Sequence, residues 1–377
     1  MGRGTPTVRP TAIAATRSGS SESCPGMISA ATAFVDDYLD ALRTLQPREV
    51  GRSPCFGYGR GGVAYTFLKA GILRADPALV QAARRWAAAG IRSGRTFHMH
   101  GWPKASFSRG LTGLHAIHAL AAHAGGDPAA CRRELHAFVA AARRARGRSI
   151  ELFQGLAGRL AGAAIVQRSV PDPAVRALGD ELAARVMRAL AGLAARDVDV
   201  DVAKLEPPGL AHGWTGVVLA TLTWQDVTRS LPDAALRRAV VAAYHEVVAT
   251  GTRGGGDWAH GHAGAALLFA RAYVLLGDAR FLTWAREAAT KARAWTGVGL
   301  ALPSGAPGVA YGMLAVAAAD PEGPWRDEAW ALASRALAHV NVPDRDPYGM
   351  WSGLGGLCCL LLDLIHETPA RFPGVEA

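Results

Sequence analysis

The sequence has no long apolar run and few cysteines. No apolar stretch reaches the roughly 18 residues that a helix needs to cross a bilayer, which excludes a membrane-spanning protein. The five cysteines are odd in number and unevenly placed, which excludes a disulfide framework and favours a reducing compartment. The Ser-, Thr-, Gly- and Pro-rich start lacks the apolar core of a signal peptide. We therefore expect a soluble, cytoplasmic protein without a membrane partner.

Positive charge is in excess but is not concentrated. The chain has 41 basic and 31 acidic residues, and half of its 377 residues are hydrophobic, which is enough for a sizeable core. The densest basic group, within residues 132–148, brackets one predicted helix, and no nucleic-acid-binding motif accompanies it. We therefore predict no nucleic-acid partner. An acidic or phosphorylated peptide is an equally good use of this charge.

Strand signals are almost absent, whereas glycine recurs in a regular pattern. Seven segments place two glycines three residues apart, directly before an apolar helical pattern, and successive segments are 44 to 58 residues apart. The pairs are Gly59 and Gly62, Gly110 and Gly113, Gly155 and Gly158, Gly213 and Gly216, Gly261 and Gly264, Gly305 and Gly308, and Gly353 and Gly356. Such a period indicates a repeat architecture and removes the need for separate domains.

Between the glycine pairs lie segments in which arginines interrupt apolar residues spaced three and four apart, as in "PALVQAARRWAAAGI". These are amphipathic helices with one solvent-exposed face. Each repeat therefore combines one such helix with the apolar helix that follows the glycine pair. Seven pairs predict an all-α fold, an α/α toroid of seven inner and seven outer helices, over residues 28–377, after a disordered tail over 1–27. The seven glycine turns then lie at one end of the barrel, where helix N-termini and functional side chains belong.

Three of the turns resemble those of the lanthionine synthetase C-like family: "LAHGWTG" (210–216), "DWAHGHAG" (257–264) and "MWSGLGGLCCLLLDL" (350–364). The resemblance extends over about residues 50–365. It implies an α/α barrel of seven inner and seven outer helices. It also implies that the chain is related to zinc enzymes that add peptide cysteine thiols to dehydroalanine or dehydrobutyrine.

The resemblance also implies where zinc ligands would stand, and those positions hold Ala259, Pro303 and Ser304. We therefore expect no metal and no other cofactor, as in the zinc-less cyclases of class III and class V lanthipeptide pathways. An unrelated metal site made of His212, His260 and His262 remains an alternative.

The residues that could move protons remain. By the resemblance, His212 stands where the family places an acid/base, and Glu151 stands where it places an aspartate before the third turn. His260 and His262 flank the glycine of the fifth turn. Our hypothesis is that His212 protonates the enolate, that His260 or His262 takes the thiol proton, and that Glu151 orients a histidine.

Seven further residues at the turns are candidates for substrate binding, although the tryptophans could equally belong to the core: Tyr58, Arg60, Arg109, Trp214, Asp257, Trp258 and Trp351. The function that follows is a zinc-independent (methyl)lanthionine cyclase. Its partners would be a ribosomal precursor peptide and a separate kinase-like protein and lyase.

Two other functions remain open. One is an inactive barrel that binds the peptide or those partner enzymes as a scaffold. The other is a toroid enzyme acting on carbohydrates or terpenoids, which needs paired acidic residues. Only Glu151 and Asp257 are available for that chemistry at the turns.

Overall fold

The structure is a computed structural model that describes residues 24–50, 53–96, 106–144, 149–194, 209–230, 234–250, 255–340 and 347–376. These ranges contain fourteen α-helices and no strand. The seven even-numbered helices are α2 (Arg60–Leu73), α4 (Leu111–Ala124), α6 (Leu156–Ser169), α8 (Trp214–Thr228), α10 (His262–Leu276), α12 (Ala306–Ala319) and α14 (Gly355–Ile365). The seven odd-numbered helices are α1 (Cys24–Thr44), α3 (Pro77–Thr96), α5 (Pro128–Arg143), α7 (Pro173–Ala194), α9 (Ala234–Thr250), α11 (Ala279–Arg293) and α13 (Trp325–Ala338).

The even-numbered helices form a closed inner ring. Each packs against the next even-numbered helix, and α14 returns to α2. The odd-numbered helices pack on the outside, and α1 fills the last outer position against α13 and α14. The predicted toroid of seven inner and seven outer helices is therefore confirmed. Helix α1 begins at Cys24, inside the segment predicted as a tail; residues 1–23 lie outside the described ranges.

Burial follows the two predicted helix types. In the inner helix α4, every residue from 112 to 122 is buried, as its apolar sequence requires. In the outer helix α5, only one face is buried, at the three- and four-residue spacing of an amphipathic helix. None of the helices in the described ranges is long and apolar enough to cross a membrane.

The glycine pairs are required by close packing rather than by unusual backbone angles. The first glycine directly precedes six of the inner helices, and the seventh helix begins two residues after Gly353. In all seven turns, a Cβ on the second glycine would stand closer than 3.0 Å to the carbonyl oxygen of the residue six positions earlier. At Gly264 this oxygen belongs to Trp258. Only glycine lets each turn fold back so tightly on its own helix.

Hydrogen bonds join the seven turns into a ring. Each turn is linked to the next, and the residue two positions before the first glycine takes part in all seven links. Six of these links are backbone hydrogen bonds. For example, Ala211 N donates to Ala259 O at 3.0 Å, and Ala259 N donates to Pro303 O at 2.9 Å. Between the second and third turns, the hydroxyls of Ser106 and Ser108 donate to Phe153 O instead. This end of the barrel is thus a continuous, hydrogen-bonded rim.

A buried ion pair closes the inner ring at α14. Asp363 Oδ2 accepts hydrogen bonds from Lys69 Nζ of α2 at 2.7 Å and from the Tyr311 hydroxyl of α12 at 2.8 Å. Asp363 is 3% exposed, so these hydrogen bonds satisfy a carboxylate that is almost shielded from solvent. This explains the aspartate in the "LLLDL" pattern of the closing helix: it ties α14 to both of its neighbours.

The chain after α14 fills the inside of the barrel. Phe372 is fully buried and stacks on Trp258 of the fifth turn, with ring centroids 3.8 Å apart. Glu376 accepts a hydrogen bond from Arg271 Nε of α10 at 2.5 Å, and Gly374 lies against the Phe56 ring of the first turn. Residues 371–376 therefore support the turns from below. We call this segment the C-terminal plug.

Candidate functional site

Two positions in each turn have opposite surroundings. The residue two before the first glycine is buried in every turn except at Pro303, which is half-buried. The residue one before that glycine is partly exposed in six turns and exposed in the sixth turn, at Ser304. These seven residues surround the mouth of the barrel: Tyr58, Arg109, Gln154, His212, His260, Ser304 and Ser352. The mouth thus carries histidines on the fourth and fifth turns and an arginine on the second turn.

Glu151 and His212 form the polar centre of the mouth. The ring atom His212 Nδ1 lies 2.9 Å from Glu151 Oε2. Glu151 also accepts hydrogen bonds from the backbone N–H groups of Phe153 at 2.8 Å and Gln154 at 2.5 Å. A carboxylate that already accepts from two N–H groups acts as an acceptor towards the imidazole, so Nδ1 carries hydrogen and Nε2 faces away.

His260 lies beside this pair. Its ring is stacked with that of His212 at a centroid distance of 5.8 Å. Its backbone N–H donates to Asp257 Oδ1 at 2.7 Å, so Asp257 caps its own turn as Glu151 does. Among the described residues, the buried His260 Nε2 has no hydrogen-bond partner. This nitrogen therefore has an unused hydrogen-bonding capacity beside His212.

Burial sets the proton affinities at the fifth turn. Desolvation lowers the pKa of His260 below its usual 6.5; the Asp257 carboxylate opposes this shift and the neighbouring His212 adds to it. Desolvation also raises the pKa of Asp257 above 3.8, against the hydrogen bonds that its carboxylate receives. A histidine with a lowered pKa is neutral at pH 7 and can accept a proton.

Aromatic rings form the floor of the mouth. Phe153 and Trp351 stand at the buried position of their turns, with ring centroids 3.8 Å apart, and Tyr58 packs edge-on against Trp351. The Phe153 ring also lies 5.1 Å from the His212 ring. The Arg109 guanidinium lies 5.6 Å from the Tyr58 ring centre and 5.8 Å from that of Phe153.

Four of the proposed site residues lie elsewhere. Arg60, directly after the first glycine, donates to Pro47 O and to Ser93 Oγ of α3, which places its side chain towards the outer helices. His262 occupies the same position in the fifth turn, and the Lys291 ammonium of α11 helps burial to lower its pKa. Trp214 and Trp258 are buried in the core. Trp351 is also buried, beneath the mouth, and the other six surround the mouth or cap its turns.

The comparisons with known proteins agree with this architecture. Residues 57–377 match the family model described as lanthionine synthetase C-like protein. The chain belongs to the lanthionine synthetase C-like family. Its fold resembles the solved structure of nisin cyclase, with a TM-score of 0.63 and 13% identity over 92% of this chain and 95% of that one. No curated protein matches the sequence.

The zinc-ligand positions implied by the lanthionine synthetase C-like resemblance offer no donor set for zinc here. Ala259 and Pro303 are in direct backbone contact, and Ser304 follows, so the three positions are close together. Their side chains end in a methyl group, a pyrrolidine ring and a hydroxyl, whereas zinc prefers thiolate, imidazole and carboxylate. The described residues contain no cluster of three His, Cys, Asp or Glu that could hold a metal. Burial in α14 raises the pKa of both Cys358 and Cys359.

The sequence did not reveal the part played by Phe153 and Gln154. Phe153 links the histidine side of the mouth to Trp351, and Gln154 occupies the position that His212 holds in its own turn. A signal was present, because both residues stand at a fixed distance before the glycine of their turn. An apolar aromatic residue beside a buried helix is nevertheless most often core.

Proposed function

We propose that this protein is a zinc-independent (methyl)lanthionine cyclase. It would add cysteine thiols of a ribosomal precursor peptide to dehydroalanine or dehydrobutyrine residues of the same peptide. The observation that carries the proposal is the Glu151–His212–His260 arrangement in the mouth of a lanthionine synthetase C-like barrel. A separate kinase-like protein and a lyase would supply the dehydroamino acids.

The addition needs one proton acceptor and one proton donor. His260 takes the proton from the cysteine thiol, and the sulfur electrons form the new bond to Cβ. The Cβ–Cα double-bond electrons move onto the adjacent amide as an enolate. His212, in its imidazolium form, gives a proton to Cα, and a proton passed from His260 to solvent and from solvent to His212 restores both groups.

The surroundings of the three histidines favour His260 over His262 as the base. His260 is stacked with His212, has an unpartnered Nε2 among the described residues, and has a lowered pKa. His262 instead lies within electrostatic range of Lys291 on the outer layer. Glu151 supports His212 as the donor, because its negative charge faces the imidazolium and its hydrogen bond holds Nε2 towards the mouth.

The absence of thiolate, imidazole and carboxylate at Ala259, Pro303 and Ser304 supports a reaction without zinc. A cysteine thiol has an ordinary pKa of about 8.5, so a neutral imidazole can deprotonate it without a metal. Holding the thiol against Cβ supplies much of the remaining acceleration, because it removes the conformational freedom of the peptide segment between the two reacting groups. The aromatic floor and the rim are suited to this positioning.

The proposal is tested with a chemically dehydrated precursor peptide and mass spectrometry after alkylation of free thiols. We expect the protein to accelerate the loss of alkylatable thiol. We expect His212→Ala to abolish most of this acceleration, whereas His123→Ala, at an exposed histidine of α4, retains it. A protein that binds the peptide without accelerating ring closure would instead be the scaffold. A His212→Ala variant with the normal rate and ring pattern would remove His212 from the mechanism.

A further inference from the structure

Arg109 stands on the mouth in a position that the acid/base pair leaves unexplained. It precedes the first glycine of the second turn, the position that His212 and His260 hold in theirs. Its guanidinium lies over the rings of Tyr58 and Phe153. Its backbone N–H donates to Ser106 Oγ at 3.2 Å, so the turn that carries it is held in place. The side chain is therefore a cation fixed at the mouth.

The groups follow one another around the mouth in a chemically meaningful order. The His260 ring lies 5.8 Å from the His212 ring, and the His212 ring lies 5.1 Å from the Phe153 ring. The Arg109 guanidinium carbon lies 5.8 Å from the centre of the same Phe153 ring. Arg109 belongs to the second turn, which is linked to the third turn on the side opposite to the fourth. Base, acid, apolar surface and cation thus succeed one another along one side of the rim.

The reacting atoms occur in the same order. The sulfur comes first, then Cβ, then Cα, and then the carbonyl group of the dehydroamino acid. A substrate whose thiol meets His260 and whose Cα meets His212 therefore extends its carbonyl oxygen over Phe153 towards Arg109. Negative charge develops on that oxygen when sulfur attacks Cβ, and a positioned cation stabilises it more in the transition state than in the ground state.

We propose that Arg109 is a catalytic residue that binds the amide oxygen of the dehydroamino acid and stabilises the enolate. This inference rests on the proposed cyclase function and adds an electrophilic group to it. The guanidinium moves no proton: the thiol proton goes to His260, the C–S bond forms, the double-bond electrons reach the amide oxygen beside Arg109, and the His212 proton then restores the amide at Cα.

The chemistry of arginine suits this role. Guanidinium is a planar cation, and its N–H groups can meet one oxygen with two hydrogen bonds. Placement over Tyr58 and Phe153 stabilises the cation through the ring faces. A lysine would bring the charge but not the planar donor pair.

The test separates stabilisation of the enolate from binding of the peptide. Two peptides are needed: the dehydrated substrate, and an analogue with alanine in place of each dehydroalanine, which binds but cannot form an enolate. We expect Arg109→Ala to lower kcat about 10²- to 10³-fold, with the Kd of the alanine analogue unchanged. Arg109→Lys should recover part of the loss, and added guanidinium ion should partly rescue Arg109→Ala. Arg132→Met, at an exposed arginine of α5, is the matched control and should behave as wild type.

Either of two results for Arg109→Ala would overturn the inference. Arg109→Ala could cyclise at the wild-type rate, or it could weaken binding of the alanine analogue by the same factor as it lowers kcat/KM. If Arg109→Ala does not fold, Arg109→Lys takes its place in the test. This variant must then lower kcat while the Kd of the alanine analogue stays unchanged. A wild-type protein that gives no acceleration at all is a different outcome, because it refutes the cyclase function before any Arg109 variant is compared.

Discussion

Glu151 and His212 are 61 residues apart in sequence and 2.9 Å apart in the structure. They come from adjacent turns of the rim, and the same carboxylate also holds the backbone of its own turn through Phe153 and Gln154. One side chain therefore shapes the third turn and orients the histidine of the fourth. Because the carboxylate accepts from Nδ1, the Nε2 atom is the one that faces a substrate.

Replacing Glu151 by glutamine tests this orientation. Glutamine turns one carboxylate oxygen into an NH₂ group, so either the turn or His212 loses its acceptor, and an NH₂ group facing Nδ1 favours the opposite tautomer. We expect kcat for ring closure to fall about 10²-fold or more, measured as initial rates of thiol loss. The matched control is Glu287→Gln at an exposed carboxylate of α11, which should keep the wild-type rate. A Glu151→Gln variant that folds normally and is fully active would show that His212 needs no orienting carboxylate.

The pKa of His260 predicts the acid side of the pH profile. Burial lowers this pKa below 6.5, and imidazole accepts a proton only in its neutral form, which predominates above the pKa. The catalysed rate should therefore persist as the pH falls to about 6.5 and should decline only below it.

In His260→Gln this acid limb should disappear. The remaining rate should rise with pH as the thiol ionises, towards its ordinary pKa of about 8.5. The measurement is kcat/KM against pH after subtraction of the spontaneous rate. An acid limb that is the same in wild type and His260→Gln would assign the base to another group.

The ring of helices was predictable because its physical cause leaves a trace in the sequence. Each tight turn excludes a Cβ at its second glycine, and this requirement repeats seven times at a spacing that a helix pair explains. The direction of individual side chains was not predictable in the same way. Arg60 and Arg109 both adjoin the first glycine of a turn, but Arg60 follows it and contacts the outer layer, whereas Arg109 precedes it and reaches the mouth.

The C-terminal plug could not be predicted from the sequence either. The segment "RFPGVEA" has the composition of a loose end, with Pro and Gly and a single aromatic residue. Its burial depends on a partner more than a hundred residues earlier, because Phe372 stacks on Trp258. No local pattern encodes a contact of that kind, which follows from the space that seven inner helices leave along the barrel axis.

The plug should contribute strongly to stability. Phe372 is fully buried between Trp258 and Tyr311, and replacing it by alanine leaves a cavity that rigid helices cannot close. We expect Phe372→Ala to lower the free energy of unfolding by about 3–5 kcal/mol, measured by urea denaturation. Phe372→Leu, which keeps most of the volume, should cost clearly less. Equal stability of Phe372→Ala and wild type would mean that the plug does not occupy the barrel in solution.

The last prediction concerns the metal. If Ala259, Pro303 and Ser304 account for independence from zinc, tag-free wild-type protein should carry far less than one zinc per chain, and a chelator should not slow ring closure. Installing Ala259→Cys, Pro303→Cys and Ser304→His together should create a site with three ligands and one open position, because the first two positions already touch through the rim hydrogen bond. Cobalt should then give a thiolate charge-transfer band in this variant. Wild type, which retains the buried thiols of Cys358 and Cys359, is the control and should show none. One tightly bound zinc per wild-type chain, or inhibition by the chelator, would contradict the proposal and direct attention back to His212, His260 and His262 as ligands.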